Sequence, residues 1–187
     1  DLITHLIAAE MEGEKLTTDE LITTCILLLN AGHEATVHTI GNGVKALIEN
    51  GFGLDVLTPD TVDSTVEEIL RHDPPLHLFT RHAYEDIEIG GHTFRRGDEV
   101  GCLLAAANRD PRQWDRPDRF DPSRPVKANL SFGVGLHFCV GAPLARLELK
   151  TALPILFDRL PGLSLVSPPR YANLYHFHGL ERLVVRA

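Results

Sequence analysis

The chain has 187 residues, 43% of them hydrophobic and 24% charged, the balance of an ordinary globular protein rather than a disordered or fibrous one. A net charge of −8 argues against nucleic acid or an anionic membrane as a partner, and no apolar run approaches the roughly 20 residues of a membrane span. Cys25, Cys102 and Cys139 lie far apart without a CxxC pair, which disfavours a disulfide framework or a cysteine-rich zinc site and points to a reducing, cytoplasmic compartment.

Leu2, Leu6 and Ile7 share one helical face, so the chain is expected to open on a short helix, followed by the loop MEGEKLT (residues 11–17). Thr17 and Glu20 form a capping-box pair, and no proline interrupts residues 18–49 before Asn50-Gly51 supplies a C-terminal stop. Such a helix is roughly 48 Å long, against a radius of gyration of about 16 Å for a compact domain of this size. Its middle, CILLL at 25–29, is apolar all round and needs cover on every side. The expectation is that residues 1–187 are the C-terminal part of a larger domain, or that the chain covers itself by oligomerising. Ala31-Gly32-His33-Glu34-Ala35-Thr36 breaks the apolar character of this helix. Small residues there would let a ligand approach the backbone; the alternative is a bend with Glu34 paired to a base.

Residues 60–71 read as a helix ended by Asp73-Pro74-Pro75. Glu68 and Arg71, three apart, share a face, which by itself signifies only an ordinary ion pair. Residues 76–100 switch to short alternating strands with turns at Gly90-Gly91 and Arg96-Gly97-Asp98, and 103–107 to a short helix. Residues 108–125 carry prolines, arginines and aspartates without periodicity, an irregular segment that Trp114 and Phe120 can anchor. Residues 131–148, SFGVGLHFCVGAPLARLE, present Cys139 on a glycine loop (Gly133, Gly135, Gly141) that turns directly into a helix. Pro143 suits the first turn of that helix, predicted over 142–160, and Leu144, Leu147, Leu149 and Leu153 provide an apolar side. A thiolate there would gain from a helix N-terminus; the plain alternative is a cysteine in a turn. The tail offers strands at 163–166 and 182–185. His77, His176 and His178 are open between a zinc site and pocket or surface histidines.

Four of these features occur together. FGVGLHFCVG (132–141), EILR (68–71), DRF after a proline (118–120) and AGHE (31–34) resemble, in this order and spacing, the C-terminal half of a cytochrome P-450, a heme-thiolate monooxygenase of the soluble bacterial type. The implied fold is mainly α with small β-sheets, with a long central helix, a Cys-ligand loop and a following helix. The implied cofactor is heme b (iron protoporphyrin IX), with Cys139 as its metal ligand and Phe132, Gly133 and Gly141 around the sulfur. Arg81 and His137 would pair with the propionates, Ala31 would border the heme, and Gly32, Glu34 and Thr36 would serve oxygen activation. Glu68, Arg71 and Arg119 would form a buried cluster, and Leu28, His77, Leu78 and the Phe177 region would face substrate.

The resemblance implies insertion of one atom of dioxygen into a small apolar molecule, with electrons from a ferredoxin or fused reductase docking near Arg146. The chain departs from the family pattern at Ala35, where an alcohol usually follows the acid; Thr36 lies about 100° further round the helix. That departure keeps a peroxide-driven heme enzyme open as an alternative. The missing N-terminal half implies that this chain alone is inactive, and a non-catalytic piece with little heme binding is the third reading.

Overall fold

The computed structural model describes residues 1–11 and 14–187; Glu12 and Gly13, within the expected loop 11–17, lie outside the described residues. The described chain divides into two units, residues 1–37 and 38–187. No helix among the described residues is long and apolar enough to cross a membrane.

In the first unit, α1 (Leu2–Ala8) is capped by Asp1, whose carboxylate accepts the Thr4 N–H at 2.8 Å. Two-residue strands β1 (Glu10–Met11) and β2 (Glu14–Lys15) pair antiparallel where a plain loop was expected. Helix α2 (Thr18–Glu49) has the predicted bounds. Its capping box is closed both ways: Thr17 N–H donates to Glu20 Oε2 at 2.8 Å, and Glu20 N–H to Thr17 Oγ1 at 3.3 Å. Ile22, Ile26, Leu27 and Leu29 of this helix are all more than half exposed, so this stretch lacks the cover its composition calls for.

The second unit begins with the last part of α2, whose Val44, Ala46 and Leu47 enter a core shared with helix α3 (Val62–His72) and helix α5 (Ala142–Arg159). Gly43 permits close packing of α2 on α3, because a Cβ there would stand 3.0 Å from Ile69 Cγ2. Val66, Ile69 and Leu70 come from α3, Leu149, Leu153 and Phe157 from α5, and Phe120 from the irregular segment. Strands β3 (Leu78–His82) and β6 (Glu99–Leu103) pair antiparallel, as do β4 (Ile87–Ile89) and β5 (His92–Phe94). Gly90 and Gly91, at φ +61° and +80°, make the tight turn of the second hairpin. A single turn, α4 (Leu104–Ala107), follows β6. In the tail β7 (Ser164–Leu165) pairs with β10 (Val185–Arg186), and β8 (Arg170–Tyr171) with β9 (Leu180–Arg182).

Two expectations need correction. Leu149 and Leu153 are buried, but Leu144 and Leu147 are 59% and 60% exposed. At 100° per residue Leu149 falls about 140° from Leu144, so α5 carries two apolar faces rather than one. The second correction concerns the acid–base cluster. Glu68 and Arg71 are 2% and 1% exposed, and they form a bidentate pair at 2.7 and 2.8 Å. The third cation is Arg124, whose Nε lies 3.2 Å from Glu68 Oε2, not Arg119. Arg119 closes a turn through its N–H to Arg116 O and points its carbonyl inward, to Arg71 Nη2 at 3.1 Å. Its exposed side chain acts instead on Asp121.

All five N–H donors of Arg71 are used: two on Glu68 and three on the carbonyls of Asn108, Pro117 and Arg119. Glu68 accepts four bonds, from Arg71 twice, Asp121 N–H and Arg124. Thus α3 holds the irregular segment by backbone capture, and Trp114 beneath the Arg71 guanidinium adds a cation–π contact at 5.4 Å. Arg71→Ala should cost about 3–5 kcal/mol by leaving Glu68 buried without its main partner. Arg124→Ala should cost about 1–3 kcal/mol and Arg119→Ala no more than about 0.5 kcal/mol, measured by urea denaturation.

Candidate functional site

The buried cluster extends to the cysteine loop through Asn108. The Asn108 backbone carbonyl accepts from Arg71, its Nδ2 donates to Ser131 Oγ at 2.8 Å, and its Oδ1 accepts the Leu130 N–H at 2.7 Å. Ser131 Oγ in turn donates to Leu70 O at 2.6 Å. The loop after Ser131 closes on itself, with Cys139 N–H donating to Phe132 O at 2.9 Å and Phe138 N–H to Gly135 O at 3.0 Å. Gly133 and Gly135 sit at φ +70° and +76°, where a side chain would be strained. Gly141 does not require glycine: its φ is −82°, and an added Cβ would meet Cys139 Sγ at an ordinary 3.8 Å.

Cys139 is half-buried, one turn before α5. Arg146 on that helix forms a bidentate ion pair with Glu67 of α3 and lies 4.6 Å over the Phe132 ring. Its guanidinium is held charged chiefly by Glu67, with a smaller contribution from Cys139. The positive charge expected to greet a redox partner is therefore already neutralised within the fold. Lys150 and Asp63 add a second ion pair between the same helices.

Val134, Leu136, Phe138 and Val140 are 51–96% exposed, and so are Leu144 and Leu147 on α5. Cys139 belongs to no group of three His, Cys, Asp or Glu ligands among the described residues. One soft sulfur donor cannot by itself retain a bare ion, so a metal held there must bring its other ligands. An iron porphyrin, a flat apolar body carrying four nitrogen ligands, fits that donor set and the exposed apolar side chains of the loop.

Among the other expected site residues, Phe132 is half-buried beneath Arg146. His137 ends an exposed 3-10 turn (Gly135–His137). Arg81 is exposed on β3 and donates to the Thr80 carbonyl at 2.8 Å. Ala31, Gly32 and Glu34 are exposed on an unbroken α2, and Ala35 and Thr36 are half-buried. No Cβ contact constrains Gly32.

The tail brings distant segments together. Phe177 bridges to Leu76, packs 5.6 Å from the His38 ring, and joins the 76–79 segment to the turn after β8. Gly179 abuts His38 so closely that a Cβ would fall 1.9 Å from Nδ1. Of the three tail and strand histidines, His77 and His178 stack at 4.0 Å, whereas His176 packs edge-on against Phe79 and Phe177. Asp73, missed in the sequence, is their partner: His178 Nε2 lies 3.1 Å from its Oδ1, and the Tyr171 hydroxyl donates to its Oδ2. Burial alone would raise the Asp73 carboxyl, but the bonds from His178 and Tyr171 outweigh it and hold the pKa below its ordinary value. Burial, then His178, lowers His77; burial, then Asp73, raises the Tyr171 phenol. Neither Asp73 nor Tyr171 carries a local signal, being 98 residues apart.

A family model described as cytochrome P-450 matches residues 60–161. The biotin biosynthesis cytochrome P-450 of Bacillus subtilis (strain 168) is 45% identical over 188 residues, 99% of this chain and 47% of that protein. A solved P-450BioI in complex with acyl carrier protein ligated to hexadec-9Z-enoic acid superposes with a TM-score of 0.87 at 42% identity, covering 98% of this chain and 51% of that one. CYP109E1 from Bacillus megaterium, in complex with testosterone, gives a TM-score of 0.92 at 33% identity, with 100% and 53% covered. The chain spans about half the length of the curated relatives it matches.

His72, at the end of α3, packs edge-on against Phe120, and burial, with help from Arg109 and Arg71, lowers its pKa to about 4. The unfolded chain binds this proton below its ordinary value of 6.5 and the folded chain only near 4. Stability should therefore fall on acidification through that window. Urea denaturation across the window should show a shallower fall in His72→Phe than in the parent.

Proposed function

The chain belongs to the cytochrome P450 family, and from that premise we propose that it supplies the thiolate half of a heme monooxygenase acting on a small apolar molecule. Members of this family bind heme b. When bound, the heme supplies iron at which dioxygen is reduced and one oxygen atom is passed to the organic substrate, with electrons from a ferredoxin or fused reductase. The carrying observation is Cys139 itself: a lone soft donor on a loop whose glycines adopt positive φ, flanked by exposed apolar side chains.

Each expected site residue has a share in this reading. Cys139 ligates iron as a thiolate, a ligand that favours O–O cleavage. Phe132, held under Arg146, covers the sulfur, and Gly133 and Gly141 leave room beside it. Arg81 and His137, exposed cationic or N–H donors, take the propionates. Ala31 and Gly32 keep α2 slim, and Glu34 with Thr36 delivers protons. Leu28, Leu78 and Phe177 contact the substrate, whose apolar class accords with the fatty acyl and steroid ligands of the relatives. The work is done in the cytoplasm, and the chain alone does not turn over substrate, because it spans about half of the family's length.

Carbon monoxide added to the reduced, heme-reconstituted chain should give the strongly red-shifted Soret band of thiolate ligation, and Cys139→Ser should lose it. Absence of any Soret band in the parent would leave only the non-catalytic reading. Ala35, at the usual alcohol position, favours a second reading, a peroxide-driven enzyme. Under the monooxygenase reading, Ala35→Thr in the complete enzyme should raise the fraction of NADH oxidised that appears as product. Unchanged coupling, with turnover supported by peroxide without ferredoxin, would favour the second reading.

A further inference from the structure

We propose that Asp73, His77 and His178 form a binding site for one divalent transition-metal ion of the zinc class, apart from the iron assigned to Cys139. The three residues come from the end of α3, the strand entry and the tail turn, and their ligand atoms all lie within 4.8 Å of one another. The 3.1 Å between His178 Nε2 and Asp73 Oδ1 is near the edge of about 3.3 Å that a tetrahedron with zinc bonds of about 2.0–2.1 Å requires. Two imidazoles with one carboxylate suit zinc, cobalt or nickel rather than calcium or magnesium, which prefer all-oxygen sets.

The surroundings are those of a metal site rather than of a chance histidine pair. Metal-binding side chains are normally fixed by outer hydrogen bonds, and each ligand here has one or a backbone tie. The Tyr171 hydroxyl occupies Asp73 Oδ2 and leaves Oδ1 facing His178. The His77 carbonyl accepts the Leu104 N–H at 2.9 Å. The His178 backbone N–H donates to Pro75 O at 2.7 Å. Asn42, fully buried, donates to the carbonyls of both Asp73 and His178, at 3.1 and 3.0 Å. Both histidines are half-buried, so an ion can enter from solvent and keep a water as its fourth ligand.

The rings define what must move. His178 is sandwiched, 3.9 Å from Tyr171 on one side and 4.0 Å from His77 on the other. An ion lies in the plane of each imidazole that binds it, and two stacked rings share no such plane. His77, at the open end of the stack, must therefore tilt away as the ion binds, while His178 stays. The lost stacking makes the affinity moderate rather than tight.

The test is equilibrium dialysis of the chelator-stripped full chain against zinc, with cobalt(II) absorption as the report of coordination geometry. One equivalent should bind, with a tetrahedral cobalt spectrum and a raised melting temperature. His77→Gln, Asp73→Asn and His178→Gln should each weaken binding at least ~10-fold, and Tyr171→Phe by about 10–100-fold. His176→Gln and Cys139→Ser should leave it unchanged. Asp73→Asn can fail to fold, whereas His77 lies at the edge of the cluster, so His77→Gln with an unaltered metal-free melt is the deciding variant. Parent-like binding by His77→Gln, loss of binding in Cys139→Ser, or no bound zinc in the parent would each overturn the proposal. None of these results bears on the heme reading, which the carbon monoxide spectrum of Cys139 decides.

Discussion

The Glu68–Arg71 pair is the constraint on which the second unit depends. A charge pair at 2% and 1% exposure has lost its water and is tolerable only when every remaining valence is met. Here the requirement is met by drawing in the backbone of residues 108, 117, 119 and 121 and the side chain of Arg124. An otherwise irregular stretch, rich in proline and short of periodicity, acquires a fixed path because five guanidinium protons and four carboxylate lone pairs need partners. Lysine could not replace Arg71, since its three donors cannot reach five acceptors in one plane.

The parts of the fold legible in the sequence are those with local causes. The capping box at Thr17 and Glu20, the stop at Asn50-Gly51 and the Pro74-Pro75 break operate within a few residues, and α2 and α3 end where they imply. The glycine-rich stretch was equally legible as a loop, although Gly133 and Gly135 alone of its three glycines take positive φ. Gly141, in the same loop, sits at φ −82°, so the presence of a loop glycine does not itself reveal its φ. The exchange of Arg124 for Arg119 could not be read, because which arginine turns inward depends on a turn closed by backbone atoms. The two faces of α5 were within reach of simple angular counting, which separates Leu144 from Leu149. The grouping of Asp73 with Tyr171 and His178 was beyond it: the partners lie about a hundred positions apart, and nothing near Asp73 distinguishes it from a helix-ending aspartate.

Helix α5 also shows how one element serves two surfaces. Its inward side, Leu149, Leu153 and Phe157, is core, and Arg146 and Lys150 lace it to α3. The leucines Leu144 and Leu147 stay exposed, as do the apolar side chains of the cysteine loop. Because the lacing uses up the nearby positive charge, that outward region offers shape and apolar contact more than electrostatic steering.

Asn108 joins the buried cluster and the cysteine loop through a single amide, and this has a thermodynamic consequence. Two regions tied by shared bonds exchange free energy in both directions: whatever tightens the loop steadies the cluster, and the reverse. A lesion at Glu68, Arg71 or Asn108 would then appear first as poor retention of whatever the loop holds, before any loss of helix could be seen. Damage of this kind would be misassigned to the binding site by an assay of occupancy alone, although its origin lies in the packing behind it.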